Sequence, residues 1–557
     1  MHLEGFPRHT RISFSFALGG TVAMPVTRRH LLRSSAASLT LPLLGACAAP
    51  LAPRASKTGR KVFLHGVASG DPGQRSIVLW TRATPQSPVA TLSVAWTFYA
   101  DPQGTRPLRR GELSTHGERD WTAKVLVDGL EPGRTYYYQF TCQGEASPLG
   151  RTRTLPGPGV QHLRIAYTSC SHWLFGYFNA YGAMAKRDDL DLVLHLGDYI
   201  YEYGNGEYGD GEALGRRHQP DREIVSLADY RTRYALYRTD DDLQELHRQH
   251  PIVVIWDDHE TANNSWKGGA QNHGPDEGSW PARKASAVRA WHEWLPTREA
   301  QSPGDAQIWR TFRFGNLLDL TMLDTRLYGR DQEAASPKDQ AVIQDPTRSL
   351  LGPAQEHWLF DGLRRSKADG VSWRILGQQV MFGQLGGYGD TPILNTDQWD
   401  GYPHARNRLL DVLEGGKIDN VAVLTGDIHS SWAMDIARAP FGDAYNPDTG
   451  RGSLAVEFVT PSVTSPFLTD RKAAEARAAQ GLEAHPHMRF IDLFHKGYVL
   501  LDITPERLQG EFWHLATITE KRLEERLAAA YLTARGENRL QRASGPSAAG
   551  QERAPAA

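Results

Sequence analysis

Ile252-Val253-Val254-Ile255-Trp256-Asp257-Asp258-His259-Glu260 runs an apolar stretch straight into a block of charge. A short apolar run of this kind predicts a buried strand. Adjacent carboxylates repel, so such charge at a strand end calls for cations or a protonated partner beside it. The arrangement recurs along the chain. Leu163–Tyr167 precedes Thr168-Ser169-Cys170-Ser171, and Leu190–Leu196 precedes Gly197-Asp198-Tyr199-Ile200-Tyr201. Leu317–Leu323 precedes Asp324-Thr325-Arg326, and Val421–Leu424 precedes Thr425-Gly426-Asp427-Ile428-His429. Helical patterns over 284–295 and 354–365 separate several of these runs. Strand, polar loop and helix in alternation predict a layered α/β domain. Ligands of such domains sit beyond the strand C-termini, so the polar clusters are expected to converge on one site.

Each cluster carries its own chemistry. A carboxylate placed directly after a buried strand, like Asp198, can bridge two cations, and Gly197 lets the backbone approach closely. Tyr201, a short step further on, can return to the same metal as a phenolate. Asp427 and His429 sit two apart on an extended segment and so share a side, as a ligand pair or a ligand plus an acid. Cys170 stands at a strand end beside the other clusters. Cys142, inside a predicted strand, reads as a small buried hydrophobe. Arg326 is a candidate phosphate contact, with a structural ion pair as the alternative. Trp173, Tyr177, Tyr203 and Trp399 suit either an apolar cleft wall or the core.

Working outward, 60–155 reads as a small all-β sandwich without catalytic content. Its predicted strands include Ser76–Thr81, Thr91–Phe98 and Tyr136–Phe140, split by turn signals. Leu130-Glu131-Pro132-Gly133-Arg134-Thr135 leads into the last of these and resembles the late strands of fibronectin-like modules. Beyond 530 the Ala/Arg/Glu/Ser/Gly/Pro-rich sequence lacks periodicity, and 530–557 is expected to be a disordered tail.

The 557 residues are 40% hydrophobic and 23% charged, with a formal net charge of -2. That balance gives no basic footprint, so no nucleic-acid-binding role is expected. Three cysteines exclude a disulfide scaffold, and a mean hydropathy of -0.48 argues against a membrane bundle. Residues 1–59 read as a targeting region and linker. Thr27-Arg28-Arg29-His30-Leu31-Leu32-Arg33 opens a short, weakly apolar run, Ser34–Ala46, too short to span a bilayer. This is the layout of a twin-arginine export signal, which makes the Tat translocon an expected partner. Leu44-Gly45-Ala46-Cys47 resembles a lipobox, leaving open a lipid anchor at Cys47 or ordinary cleavage nearby. The expected location is periplasmic or extracellular, with membrane anchoring as a lipoprotein the variant.

In their order along the chain, Cys170, Gly197–Tyr201, Trp256–Glu260 and Gly426–His429 resemble the PhoD-type alkaline phosphatase and phosphodiesterase family of calcineurin-like metallophosphoesterases. Val67–Pro72 with Val78–Arg82, Leu323–Arg326, Glu457–Ser462 and His495–Tyr498 are similar to further family segments. The resemblance implies a four-layer α/β/β/α catalytic core over 160–520, preceded by the family's N-terminal β domain. It also implies a binuclear site holding Fe(3+) and Ca(2+). Carried over, Cys170, Asp198, Tyr201 and His429 would bind iron, Asp198 would bridge to calcium, and Asp427 would complete that side. Asp258 would be a second-metal ligand and His259 the general acid. Calcineurin-like enzymes generally carry Gly-Asn-His-Glu where this chain has Asp257-Asp258-His259-Glu260, so Asn263 or Asn264 is the alternative ligand to Asp258. The function implied is metal-dependent hydrolysis of small phosphate monoesters, diesters or both, by water activated for attack on phosphorus. Phospholipase D-type diester cleavage and a noncatalytic, metal-stabilised surface binding protein are the alternatives.

Overall fold

A computed structural model describes residues 61–299, 307–386 and 395–557. The twin-arginine segment and Cys47 lie outside the described residues.

The strands predicted to end in polar clusters form the cores of two large sheets. In a 10-stranded sheet, Leu163–Thr168, Leu192–His195 and Pro251–Val254 run parallel at the centre. In a 7-stranded sheet, Leu318–Met322, Trp373–Gly377, Val421–Thr425 and Ser453–Val459 are likewise parallel neighbours. These strands are buried almost throughout, which is why their sequences read as continuous apolar runs rather than alternating ones.

The two sheets pack face to face. Ile165, Tyr167 and Leu501 of the first share one core with Leu318, Val456 and Phe458 of the second. Tyr167 Oη donates to Phe458 O at 2.9 Å, and Trp373 Nε1 donates to Thr504 O at 2.7 Å, tying the layers together. Helices Asn179–Ala185, Leu227–Tyr237, Asp241–Gln249 and Trp280–Trp294 contribute to that same core. Helices Pro353–Ala368, Pro403–Gly415 and Arg471–Ala484 form a second core against the 7-stranded sheet. The helix starts follow local chemistry. Ser226 and Asp229 make a reciprocal capping box, and proline opens the helices at 353 and 403, where its missing N–H costs nothing. The result is the expected α/β/β/α layering.

The N-terminal β region packs as a sandwich, but it is not a free-standing one. A 5-stranded sheet includes Thr91–Tyr99, Pro107–His116 and Thr135–Cys142. The layer facing it, Val67–Gly70, Ile77–Arg82 and Thr122–Val127, is the end of the 10-stranded sheet. Val67–Gly70 pairs in parallel with Pro251–Val254, Ser69 opposite Pro251 and Gly70 opposite Ile252. One sheet thus crosses the boundary drawn at 155.

The disordered tail expected over 530–557 is a misreading. Glu525–Ala534 is a strand paired with Arg507–Leu515, and the chain beyond it is docked. Arg553 reaches Asp191 at 2.6 Å, Tyr137 Oη donates to Ala554 O at 2.6 Å, and Ala556 is buried. The docking draws heavily on the tail's main-chain groups and on Arg553, which leave no hydrophobic periodicity in the sequence.

Candidate metal centre

The parallel strands of both sheets release their polar loops at one edge, where the sheets touch. Gly426 makes that approach feasible, because a Cβ there would lie 2.8 Å from Ser169 Oγ of the opposite loop. Gly197, at φ 100°, lies so close to Asp257 that a Cβ would meet the Asp257 Cβ at 2.4 Å. Cys170, Asp198, Asp427 and His429 all adopt left-handed backbone conformations, with φ of 60°, 57°, 61° and 56°. Non-glycine residues in such regions cost on the order of 1–3 kcal/mol each and cluster where function demands them.

The loops bring the predicted residues together. Ligand atoms of Cys170, Asp198 and His429 lie within 4.8 Å of one another, as do those of Asp198, Asp258 and His259, and those of Asp257, Asp258 and Asp427. Asp198 therefore joins the two halves. Tyr201 belongs to the first half: its Oη donates to Asp198 Oδ2 at 2.8 Å and lies 3.1 Å from His429 Nε2. Ser465 Oγ donates to the same phenol oxygen at 2.7 Å.

Asp258 reaches into the cluster, and the amide NH2 groups of the alternative asparagines are engaged with other side chains. Asn264 contributes its backbone N–H to Asp258 Oδ2 at 2.6 Å, while its side chain donates to Glu333. The Asn263 side chain is spent on Gln271. Asp257, left without a role in the sequence reading, stands beside Asp258 and Asp427 as a further candidate ligand.

Arg326 departs from its expected place at the substrate. It is fully buried, and its guanidinium donates to Asp257, to Asp397 at 2.7 Å and to Asp427 at 2.6 Å. Here it is a counter-charge for carboxylates, the ion-pair alternative. Of the aromatic residues, Trp173 and Trp399 are core residues, and Tyr177 is half-buried. Only Tyr203 packs at the site, 5.4 Å from the His259 ring.

Three buried groups that the sequence reading left without a role organise the centre. The Glu260 carboxylate accepts the backbone N–H groups of Asp198, Tyr199 and Asp257 at 3.0, 2.7 and 2.8 Å, pinning two loops at once. Glu202 accepts from His259 Nδ1 at 2.7 Å, which orients the ring and leaves Nε2 for other work. Tyr201 stacks on the His259 ring, centroids 4.2 Å apart. Lys496 donates to His429 O at 3.3 Å. The available signals were a glutamate closing the aromatic run 199–201 and another closing the charged block 257–260.

The electrostatics are those of a centre that needs added positive charge. Burial pushes the Asp198 and Asp257 carboxyls well up, and it holds Asp427 at about 7 even beside Arg326. Burial and the neighbouring Asp198 likewise push the Cys170 thiol and the Tyr201 phenol well up. Burial opposes the charge on His259 too, but Asp258, Glu202 and Asp198 outweigh it and hold the imidazole well above its ordinary range. Burial also works to raise Asp258, yet Arg326 and His259 keep it low. Asp198 Oδ1 and Asp257 Oδ2 are buried without a hydrogen-bond partner. Orphaned carboxylate oxygens at this depth are costly unless a cation meets them. The donor set, with thiol, phenol and imidazole on one side and carboxylates on the other, fits a metal pair.

The comparisons with known proteins agree with this geometry. Residues 165–512 match the PhoD-like phosphatase family, and residues 47–156 match the N-terminal domain of PhoD-like phosphatases. Alkaline phosphatase D of Bacillus subtilis (strain 168) is 38% identical over 478 residues, 82% of this chain and 78% of that protein. A solved structure of PhoD matches with a TM-score of 0.79 at 35% identity, covering 87% of this chain and 93% of the other. With the family match, the α/β/β/α layering and the carboxylate-rich centre in agreement, the chain belongs to the PhoD-like phosphatases and is a phosphoesterase of the alkaline phosphatase D type.

Proposed function

We propose that the chain is an exported phosphoric-ester hydrolase whose centre holds iron(III) beside calcium and that accepts small phosphate monoesters, diesters or both. The observation that carries this reading is the division of the donors around Asp198. Cys170, Tyr201 and His429 lie to one side, and Asp257, Asp258 and Asp427 to the other. Phenolate and carboxylate suit a hard trivalent ion, to which a thiolate adds charge donation, and an all-oxygen side suits calcium. A phenol pushed up by burial gives up its proton only to a strongly acidic cation, which favours iron over calcium or zinc at Tyr201.

When bound, the metal pair supplies the Lewis acidity that holds a phosphoryl group and activates water. The chain's own residues do the rest. Glu202 keeps the proton on His259 Nδ1, so Nε2–H is the acid that protonates the departing ester oxygen. Glu260 fixes the spacing of the Asp198 and Asp257 loops. Arg326 donates to both Asp257 and Asp427 and so offsets their mutual repulsion.

The test is turnover of nitrophenyl phosphate and bis(nitrophenyl) phosphate by protein whose iron and calcium have been counted. Chelation should abolish turnover and Ca²⁺ restore it. Full activity of iron-free protein with Zn²⁺ alone would overturn the metal assignment, and inertness of the metal-replete protein toward every ester would overturn the reading as a whole. Export by the twin-arginine route is part of the proposal. It rests on Arg28-Arg29 ahead of a short apolar run, and the double variant Arg28→Lys/Arg29→Lys should stay in the cytoplasm. Normal export of that variant would refute it. A lipid anchor at Cys47 is tested in the same fractions, since Cys47→Ser would move an anchored protein from membrane to soluble.

A further inference from the structure

A second group of metal-ligating side chains lies outside the catalytic constellation. Asp492 ends the strand Met488–Asp492 of the 7-stranded sheet, His495 follows in the connecting loop, and His514 lies in Arg507–Leu515 of the 10-stranded sheet. Their ligand atoms lie within 4.8 Å of one another. The rings of His495 and His514 lie nearly parallel, centroids 5.0 Å apart.

The carboxylate is preorganised. Asp492 Oδ1 accepts the backbone N–H groups of Phe494 and His495 at 3.0 and 2.8 Å, leaving Oδ2 for His495 Nδ1 at 2.8 Å. His514 is wholly buried, and its Nε2 is 3.1 Å from Ser431 Oγ. Its Nδ1 has no hydrogen-bond partner and faces Asp492 Oδ2 at 3.9 Å, too far for a hydrogen bond. A buried imidazole nitrogen without a protein partner, facing a carboxylate oxygen at 3.9 Å with two further ligand atoms close by, is a donor that a cation would satisfy. A Ser431 hydroxyl accepting from Nε2–H would fix the tautomer that points the Nδ1 lone pair at Asp492, the outer-shell device of metal-binding histidines.

We propose that Asp492, His495 and His514 form a second metal site, separate from the catalytic pair, that takes a divalent transition ion of the zinc class. Two imidazoles and one carboxylate are the donors such ions prefer over calcium or magnesium. Asp492 and His495 are partly exposed, which gives the ion an entry path and leaves a position for water. The site joins the two sheets, so an ion there clamps the layers that carry the catalytic loops. Arg526, exposed, donates to His495 Nε2 at 3.2 Å. Coordination through Nδ1 moves the proton to Nε2, and this guanidinium then swings into solvent.

The test is calorimetric titration of the enzyme, its catalytic metals loaded and counted, with Zn²⁺, and optical titration with Co²⁺. The wild type should take up one equivalent beyond its catalytic metals. His495→Ala, a change at a partly exposed loop residue, should lose that equivalent, and His514→Gln should lose it too. Ser431→Ala should weaken it about 10–100-fold. Arg526→Gln, freed of the competing hydrogen bond, should bind more tightly. Four-coordinate Co²⁺ should give visible absorption in the wild type that is absent from His495→Ala. Equal Zn²⁺ uptake and affinity in the wild type and His495→Ala would overturn the proposal, as would lost binding in Arg526→Gln.

Discussion

Replacing Glu202 with glutamine tests how this chain makes an acid of His259. Both partners are nearly excluded from solvent, with side-chain exposures of 9% for His259 and 0% for Glu202, and the contact is 2.7 Å. Glutamine keeps the shape, and its carbonyl can still accept from Asn263 N, which Glu202 Oε1 now does at 2.7 Å. What is lost is one negative charge and one charge-assisted hydrogen bond, worth about 1.5–3 kcal/mol. At about 1.36 kcal/mol per pKa unit, the acid form of His259 loses roughly 1–2 units of pKa. The sign is fixed by direction: His259 is held above its ordinary range, with Asp258, Glu202 and Asp198 outweighing the opposing effect of burial. Removing Glu202 lowers it, so the protonated acid disappears at a lower pH. The alkaline limb of kcat/KM for an alkyl phosphate should therefore move down by roughly 1–2 pH units. Nitrophenyl phosphate, whose leaving oxygen needs little protonation, should respond far less. The assay is a pair of pH–rate profiles on protein whose metal content matches the wild type. An alkaline limb that stays in place for the alkyl ester, with metals retained, would refute the Glu202–His259 acid.

Other expectations follow from the same geometry. If Tyr201 and Cys170 meet iron(III), the purified protein is coloured. Tyr201→Phe should lose or shift the visible band and Cys170→Ser should change it separately, whereas a colourless, iron-free, fully active protein would remove both residues from the ligand set. Deleting residues 545–557 strips the partners of Arg151, Tyr137 and Asp191 from the junction between the β region and the catalytic sheet. That should cost on the order of 3–6 kcal/mol, from two charged hydrogen bonds worth about 1.5–3 kcal/mol each. It should lower Tm and leave kcat unchanged, and an unaltered Tm would mean that the docked tail contributes nothing.

The strands that end in Cys170, Asp198, Asp258 and Asp427 were legible in the sequence because burial in a parallel sheet is written locally, as an apolar run broken by charge. The convergence of their loops followed from the topology rule for such sheets. Local pattern therefore determined a layered α/β domain whose strand-end clusters converge, while the four-layer arrangement and the ligand set came from the family resemblance. Other features were decided by contacts between residues far apart in the chain, which no local pattern records. Val67–Gly70 joins the catalytic sheet by pairing with Pro251–Val254 through backbone groups that every residue possesses. Arg326 lies among Asp257, Asp397 and Asp427 because those carboxylates needed a buried counter-charge, a demand that exists only once the loops have met. Glu202 finds His259 across 57 residues, and Arg553 finds Asp191 across 362. Hydrophobic periodicity specifies which face of a strand or helix is buried. Which charge meets which is settled by the tertiary structure, because a buried ion's cost depends on every neighbour that the fold brings to it.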